Sequence, residues 1–193
     1  MKILCEVSAR HVHLSREHLE QLFGKDAKLN ILKEVTQPGQ FLSDKRVDLV
    51  TPKTTFKNVA ILGPVRSKTQ VEISRTDSFA LGLKDVPLRQ SGDLDNTPGI
   101  TLRSGETEII IEKGVIIARR HAHLDIETSK KYNITDKQIV SIKFDGERGG
   151  TLTNVLARVS GNCSNAIHID TDEANALGFF SGTAKLLIKK TNK

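Results

Sequence analysis

Four of the chain's six histidines fall in two copies of one short pattern, "ARHVHLS" at residues 9–15 and "RRHAHLD" at residues 119–125. Each copy runs Arg-His-x-His-x-Leu, with His11 and His13 in the first and His121 and His123 in the second. In extended backbone, residues i and i+2 project from one face, so each pair sends two imidazoles the same way. Two rings held side by side are costly unless something shares their lone pairs. A divalent metal does so while keeping both rings neutral. Four such histidines can serve one ion or two.

A second repetition adds to the set. "VEISRTDSFALG" (71–82) lies against "IHIDTDEANALG" (167–178) without a gap, placing Glu72 between Val71 and Ile73 and His168 between Ile167 and Ile169. Thr76 and Thr171 are the expected N-caps of the short helices that close on Ala-Leu-Gly. With Glu72 and His168 there are six ligand-type side chains, three from each half. Three protein ligands and an open position is the pattern of a catalytic zinc, whereas structural zinc is closed by four ligands and rich in Cys. Two three-ligand ions at an interface between the halves account for the repetition. Against this stands the reading in which each histidine only caps a helix or packs at a seam. It competes evenly for one H-x-H, and poorly for two in matched contexts. His18, outside the pattern on the first turn of a helix, reads as exposed.

In "GPVRSKTQVEIS" (63–74), Arg66 and Lys68 lie in a Gly-Pro loop just before the Glu72 strand. There they can reach an anion bound at a metal. Arg suits phosphate because its planar fork donates two hydrogen bonds at once, so Arg66 reads as an anion ligand rather than a solvated cation.

The elements that must position these residues are short. "KILCEVS" reads as a strand running into the first histidine pair; Ser15 then N-caps a helix, Leu14 and Leu19 staple it, and Gly24 stops it. "LNILKEV", "RVDLVTP", "NVAILGPV" and "TQVEISR" follow as strands, and "RQSGDLDNTPG" (89–99) is the most loop-like stretch. A hairpin turn at Lys113-Gly114 is expected to lead a β-branched strand into the second histidine pair, where Asp125 takes the place of Ser15. "QIVSIKF", "LTNVLARVS", "NAIHID" and "TAKLLIKK" again read as strands, with a turn at "DGERGG". The pattern predicts a mainly β fold with short α-helices: two related small β-barrels capped by helices.

Composition bounds the function. The 193 residues suffice for one domain or two small ones, and 37% apolar content without low-complexity segments indicates a folded chain. The N-terminus lacks the apolar region and cleavage site of a secretory signal, and no stretch approaches the roughly 18 apolar residues of a membrane span, so a cytoplasmic protein without membrane contact is expected. Cys5 and Cys163 lack C-x-x-C spacing and read as ordinary residues. The net charge of +6 favours anionic partners, but aromatic residues are only 4%, with no Trp, so a base-stacking surface is poorly supplied. A phosphate-rich small ligand fits better than nucleic acid. Lys130-Lys131 and Lys189-Lys190 read as solvated surface.

"SARHVHLS", "GPVRSKTQVEISRTD", "RHAHL" and "HIDTDEANA", four motifs in order over almost the whole chain, resemble the phosphate propanoyltransferase family, the phosphotransacylases associated with propanediol utilisation. The resemblance implies two β-barrels, two zinc ions per chain, and reversible transfer of a short acyl group, acetyl or propanoyl, between coenzyme A and inorganic phosphate. Acyl-CoA, phosphate and acyl phosphate would be its partners. It implies that His11, His13 and Glu72 serve one zinc and His121, His123 and His168 the other, and that Arg66 binds phosphate. Ser8, Lys33, Leu62, Phe79 and Asn175 match positions that look like coenzyme A contacts, with Phe79 stacking on adenine across a homodimer interface. The family also implies interleaved barrels, residues 1–10 with 119–193 in one and 11–118 in the other. Members in bacterial microcompartments carry an N-terminal helical extension; here the first strand begins at Met1, which favours a free cytoplasmic enzyme and acetyl as acyl group. The implied mechanism is direct attack of phosphate on the thioester, since no Ser-His-Asp or Cys-His arrangement is suggested near the motifs. Two alternatives are a dinuclear metallohydrolase, whose H-x-H-x-D-H motif fails at Ile126, and a non-catalytic module fastened by zinc.

Overall fold

A computed structural model describes residues 1–187 of the chain. The last three residues of the expected "TAKLLIKK" strand, including Lys189-Lys190, lie outside the described residues. In chain order the elements are β1 (Lys2–Ser8), β2 (His11–His13), α1 (Arg16–Phe23), β3 (Ile31–Glu34), β4 (Phe41–Val50), β5 (Thr55–Gly63), β6 (Gln70–Ile73), α2 (Arg75–Leu81) and β7 (Leu88–Arg89). They continue with β8 (Ile100–Ser104), β9 (Thr107–Ile111), β10 (Val115–Ala118), β11 (His121–Leu124), α3 (Ile126–Tyr132), β12 (Ile139–Phe144), β13 (Gly150–Val159), β14 (Ala166–Asp170), α4 (Thr171–Ala176) and β15 (Gly182–Leu187).

The chain divides into two units, each with its own core. The first comprises Met1–Ser8, Thr36–Pro38 and the described residues from Arg119 onward. Its six strands form a closed barrel in the order β1-β14-β11-β13-β12-β15, so the N-terminal strand completes a barrel otherwise built from the C-terminal part. Alternation fills it: Ile3 and Cys5 of β1, Ala122 and Leu124 of β11, and Ile167 and Ile169 of β14 all enter one apolar cluster. His121, His123 and His168, at the intervening positions, must take the opposite face of the wall.

The second unit, Ala9–Val35 and Gly39–Ala118, is a nine-stranded sheet in the order β7-β10-β6-β2-β5-β4-β8-β9, with β3 added on β4. It curls as a half-barrel. One end strand, β7, is only two residues long, and α1 lies beside β8 and β9, turning Leu19 and Leu22 into the core. The same alternation operates: Val12, Leu14, Val71 and Ile73 are core, which leaves His11, His13 and Glu72 on the other face. The internal repetition is topological. β2 pairs in parallel with β5 and antiparallel with β6, as β11 pairs in parallel with β13 and antiparallel with β14.

Local signals set the element ends. Ser15 and Asp125 N-cap α1 and α3 as expected, and Gly24 ends α1 at φ 96°. The caps of α2 and α4 are Ser74 and Asp170, not Thr76 and Thr171. Each of these has extended backbone and forms a capping box with the residue three places on, Asp77 or Glu173. Lys113-Gly114 does not close a hairpin, because β9 pairs with β8 while β10 runs parallel to β6 and β7. Gly114 adopts φ 132°, and a Cβ there would meet the Thr69 carbonyl at 2.7 Å, so the glycine permits a close backbone crossing instead. The hairpin is one turn earlier, where Ser104 pairs with Thr107 around Gly105 at φ 57°.

Candidate metal centre

His11 and Glu72 are direct partners across the antiparallel pair β2–β6, and His13 stands two residues along on the same face. All three are buried, with His13 2% exposed. His11 Nδ1 lies 2.9 Å from the carbonyl of Ala9, and His13 Nδ1 lies 3.2 Å from that of Leu62. A carbonyl only accepts, so both Nδ1 atoms carry the proton and both Nε2 atoms present lone pairs. Those lone pairs face a carboxylate: His11 Nε2 is 3.6 Å from Glu72 Oε2 and His13 Nε2 is 3.7 Å from Glu72 Oε1. These separations are too long for hydrogen bonds and bring acceptor against acceptor. Ligands about 2.0–2.1 Å from a tetrahedral zinc lie roughly 3.3–3.5 Å from one another, so the gap has the size and polarity of a cation site. Among the described residues this is the one group of three whose ligand atoms all lie within 4.8 Å.

The charges are set for binding. Burial, with His11 and Arg66 nearby, pushes the His13 imidazole down to about 3, so it is neutral at physiological pH. Burial by itself would raise the Glu72 carboxyl; His11, His13, Ser91 and Arg66 outweigh that and hold it at about 2. Neutral imidazole and ionised carboxylate are the forms a metal requires. Glu72 is also fixed in place: its Oε1 accepts from Gln70 Nε2 at 2.5 Å and from Ser91 Oγ at 2.9 Å. Arg66 joins the same network by donating Nη1 to Ser91 Oγ at 2.9 Å. Arg66 is itself anchored by its backbone N–H to the carbonyl of Leu14, one residue beyond His13. Ser91 and Gln70 therefore support the candidate site, although no motif marked Ser91 and Gln70 was not singled out within "GPVRSKTQVEIS".

The histidine triad of the barrel unit is built differently. The His121, His123 and His168 rings have centroids 4.8–5.2 Å apart, with His121 and His168 stacked at 5°. His121 Nδ1 faces the Arg119 carbonyl at 2.9 Å, which leaves Nε2 as an acceptor, 3.1 Å from His123 Nε2. The spacing suits two ligands of one ion. Burial, helped by His121, His168 and Arg158, lowers the His123 imidazole to about 3. His168 Nε2 lies 3.4 Å from Glu6 Oε2, and the Thr36 hydroxyl donates to the other oxygen of Glu6. Glu6 is opposite His168 in the parallel pair β1–β14, a register that the sequence does not reveal.

The remaining candidates are placed as follows. Leu62, on β5, meets the first triad through its carbonyl. Lys33 lies on β3, which is exposed throughout, and Phe79 on α2 is 67% exposed. Ser8 ends β1 and Asn175 lies on α4, in the barrel unit. His18 is not free surface: it is half-buried, with Nδ1 2.8 Å from Thr69 Oγ1. No helix of the described residues is long and apolar enough to cross a membrane.

The family model for phosphate propanoyltransferase matches residues 4–180, nearly the whole chain. This chain belongs to the phosphate propanoyltransferase family. A phosphate propanoyltransferase of Alkaliphilus metalliredigens is 48% identical over 189 residues, covering 98% of this chain and 89% of the relative. Those of Clostridioides difficile and Thermotoga maritima are each 46% identical, covering 96% and 97% of this chain and 88% and 89% of the relative. Membership makes the chain an enzyme of the acyltransferase class, which sets aside the non-catalytic module.

Proposed function

We propose that the chain catalyses reversible transfer of a short acyl group, acetyl or propanoyl, between coenzyme A and inorganic phosphate, with a zinc ion held by each triad. His11, His13 and Glu72 hold one ion, and His121, His123 and His168 the other. The observation that carries this is the first triad, whose two Nε2 atoms and carboxylate converge on a cation-sized gap linked through Ser91 to Arg66. When bound, zinc supplies Lewis acidity toward the thioester carbonyl and the departing thiolate.

The protein's own residues do the rest. Arg66 binds phosphate through its fork and orients one oxygen toward the carbonyl carbon, so the new C–O bond forms as the C–S bond breaks and coenzyme A leaves as thiolate. The cysteines do not compete as nucleophiles. Cys5 is buried, and burial with nearby Glu173 and Glu6 pushes its thiol up to about 12. Cys163 is also raised, first by burial, and donates to the Ser160 carbonyl. Ser8, Lys33, Leu62, Phe79 and Asn175 would contact coenzyme A, and the exposed Phe79 ring would stack on adenine across a homodimer. A cytoplasmic location completes the reading.

Two measurements test it. Mixing the enzyme with acyl-CoA in the absence of phosphate leaves no acylated protein if phosphate attacks directly; stoichiometric acylation would show a covalent route instead. Arg66→Ala removes charge-assisted hydrogen bonds of about 1.5–3 kcal/mol and lowers kcat/KM for phosphate roughly 10- to 150-fold, while a variant with an unchanged phosphate KM and kcat would remove Arg66 from the site.

A further inference from the structure

We propose that Arg10 and Arg120, the arginines that open the two Arg-His-x-His motifs, are positioning residues that latch each histidine strand to the helix following the third ligand. Arg10 grips Asp77 with both arms, Nε to Oδ2 at 3.0 Å and Nη2 to Oδ1 at 2.5 Å. Asp77 is no ordinary surface acid. It is buried, and its Oδ2 also accepts from the backbone N–H of Ser74 at 3.2 Å in the α2 capping box. Ser74 follows Glu72 by two residues, so one carboxylate joins the residue before His11 to the end of the strand that carries Glu72.

The barrel unit repeats the device. Arg120 precedes His121 and donates Nη1 to Glu173 Oε1, while Glu173 Oε2 accepts from the backbone N–H of Asp170 at 3.1 Å. Asp170 follows His168 by two residues, and Glu173 stands where Asp77 stands in the gapless match of 71–82 with 167–178. Arg120 is braced further by Nε on the Thr153 carbonyl at 2.7 Å, whereas Arg10 stacks over the Phe56 ring at 4.5 Å. The carboxylate differs in length and the arginine's other support differs too. The link from arginine to capping box is common to both.

The strands explain the need. β2 and β11 have three and four residues, and each first histidine sits directly opposite a third ligand, His11 against Glu72 and His121 against His168. A ladder this short constrains the angle between its strands weakly. An arginine bond beyond its end, two-armed at Arg10 and one-armed at Arg120, whose Nε holds the Thr153 carbonyl instead, fixes that angle, and with it the spacing of ligand atoms. An arginine serving stability alone would leave ligand spacing untouched.

The proposal rests on the reading that each triad holds a cation, and cobalt titration of the metal-free full chain separates the two ideas. Wild type takes up two Co²⁺ ions with visible d–d absorption; absence of any such uptake would overturn the cation reading itself, and the latch with it. Given uptake, Arg10→Lys keeps the charge but loses the fork, and is expected to weaken one ion by about 10- to 100-fold with a changed band shape. Arg120→Lys is expected to do the same to the other ion, with the melting temperature of the metal-free protein near that of wild type. Unaltered affinities and spectra in both variants would overturn the latch. Equal weakening of both ions by either variant, together with a fall in melting temperature, would show a general structural role and overturn it as well.

Discussion

Ser91→Ala probes how the first triad is held without touching a ligand. Glu72 Oε1 accepts two hydrogen bonds, from Gln70 Nε2 at 2.5 Å and Ser91 Oγ at 2.9 Å, and Ser91 Oγ also accepts from Arg66 at 2.9 Å. The substitution deletes one bond to an ionised acceptor, about 1.5–3 kcal/mol, or roughly 10- to 150-fold in an equilibrium constant. Gln70 still holds the same oxygen, which places the expected loss of metal affinity at the lower end, about tenfold, within the range for supports of metal ligands. Competition between the metal-free protein and a chromophoric chelator measures it. Arg66 loses one side-chain acceptor at the same time, so the phosphate KM rises alongside. Unchanged metal affinity would refute the assignment of Ser91 as the support of a ligating carboxylate.

Two further predictions concern stability. In the metal-free protein, His13 and His123 are each lowered from 6.5 to about 3, and Glu72 from 4.5 to about 2. The unfolded chain therefore takes up these protons first, so the stabilisation is full above pH 6.5 and drains as pH falls toward 3, with Glu72 adding its loss below 4.5. Melting temperature of the metal-free protein should fall steadily from pH 7 to 4, and a flat profile would contradict the assigned protonation states. Phe144→Ala empties a fully buried position in the closed barrel that packs edge-on against Phe179 at 4.9 Å. It should cost about 3–5 kcal/mol by denaturant titration, and a loss below about 1 kcal/mol would show that the barrel core does not depend on this ring.

The alternation of His11 and His13 with Val12 and Leu14 made the ligand faces legible, because a period of two separates core from ligand whatever the tertiary context. The gapless match of residues 71–82 with 167–178 likewise carried Glu72 and His168 into the set. Contacts made through long-range register were not legible. Glu6 meets His168 only because β1 lies beside β14, and Ser91 meets Glu72 from within a loop whose composition marked it merely as a loop. Thr76 and Thr171 looked like caps because threonine caps helices, yet Ser74 and Asp170 had the capping-box partners Asp77 and Glu173 at the right spacing. His18 read as exposed because its partner, Thr69, is 51 residues away.

Loss of acetyl-CoA thioester absorbance by the zinc-loaded protein, with and without phosphate and before and after chelation, tests the central claim most directly. The account predicts rapid loss that requires phosphate, yields acetyl phosphate, stops when the metal is removed and returns when zinc is restored. Loss that proceeds at the same rate without phosphate, or that survives complete removal of the metal, would contradict it.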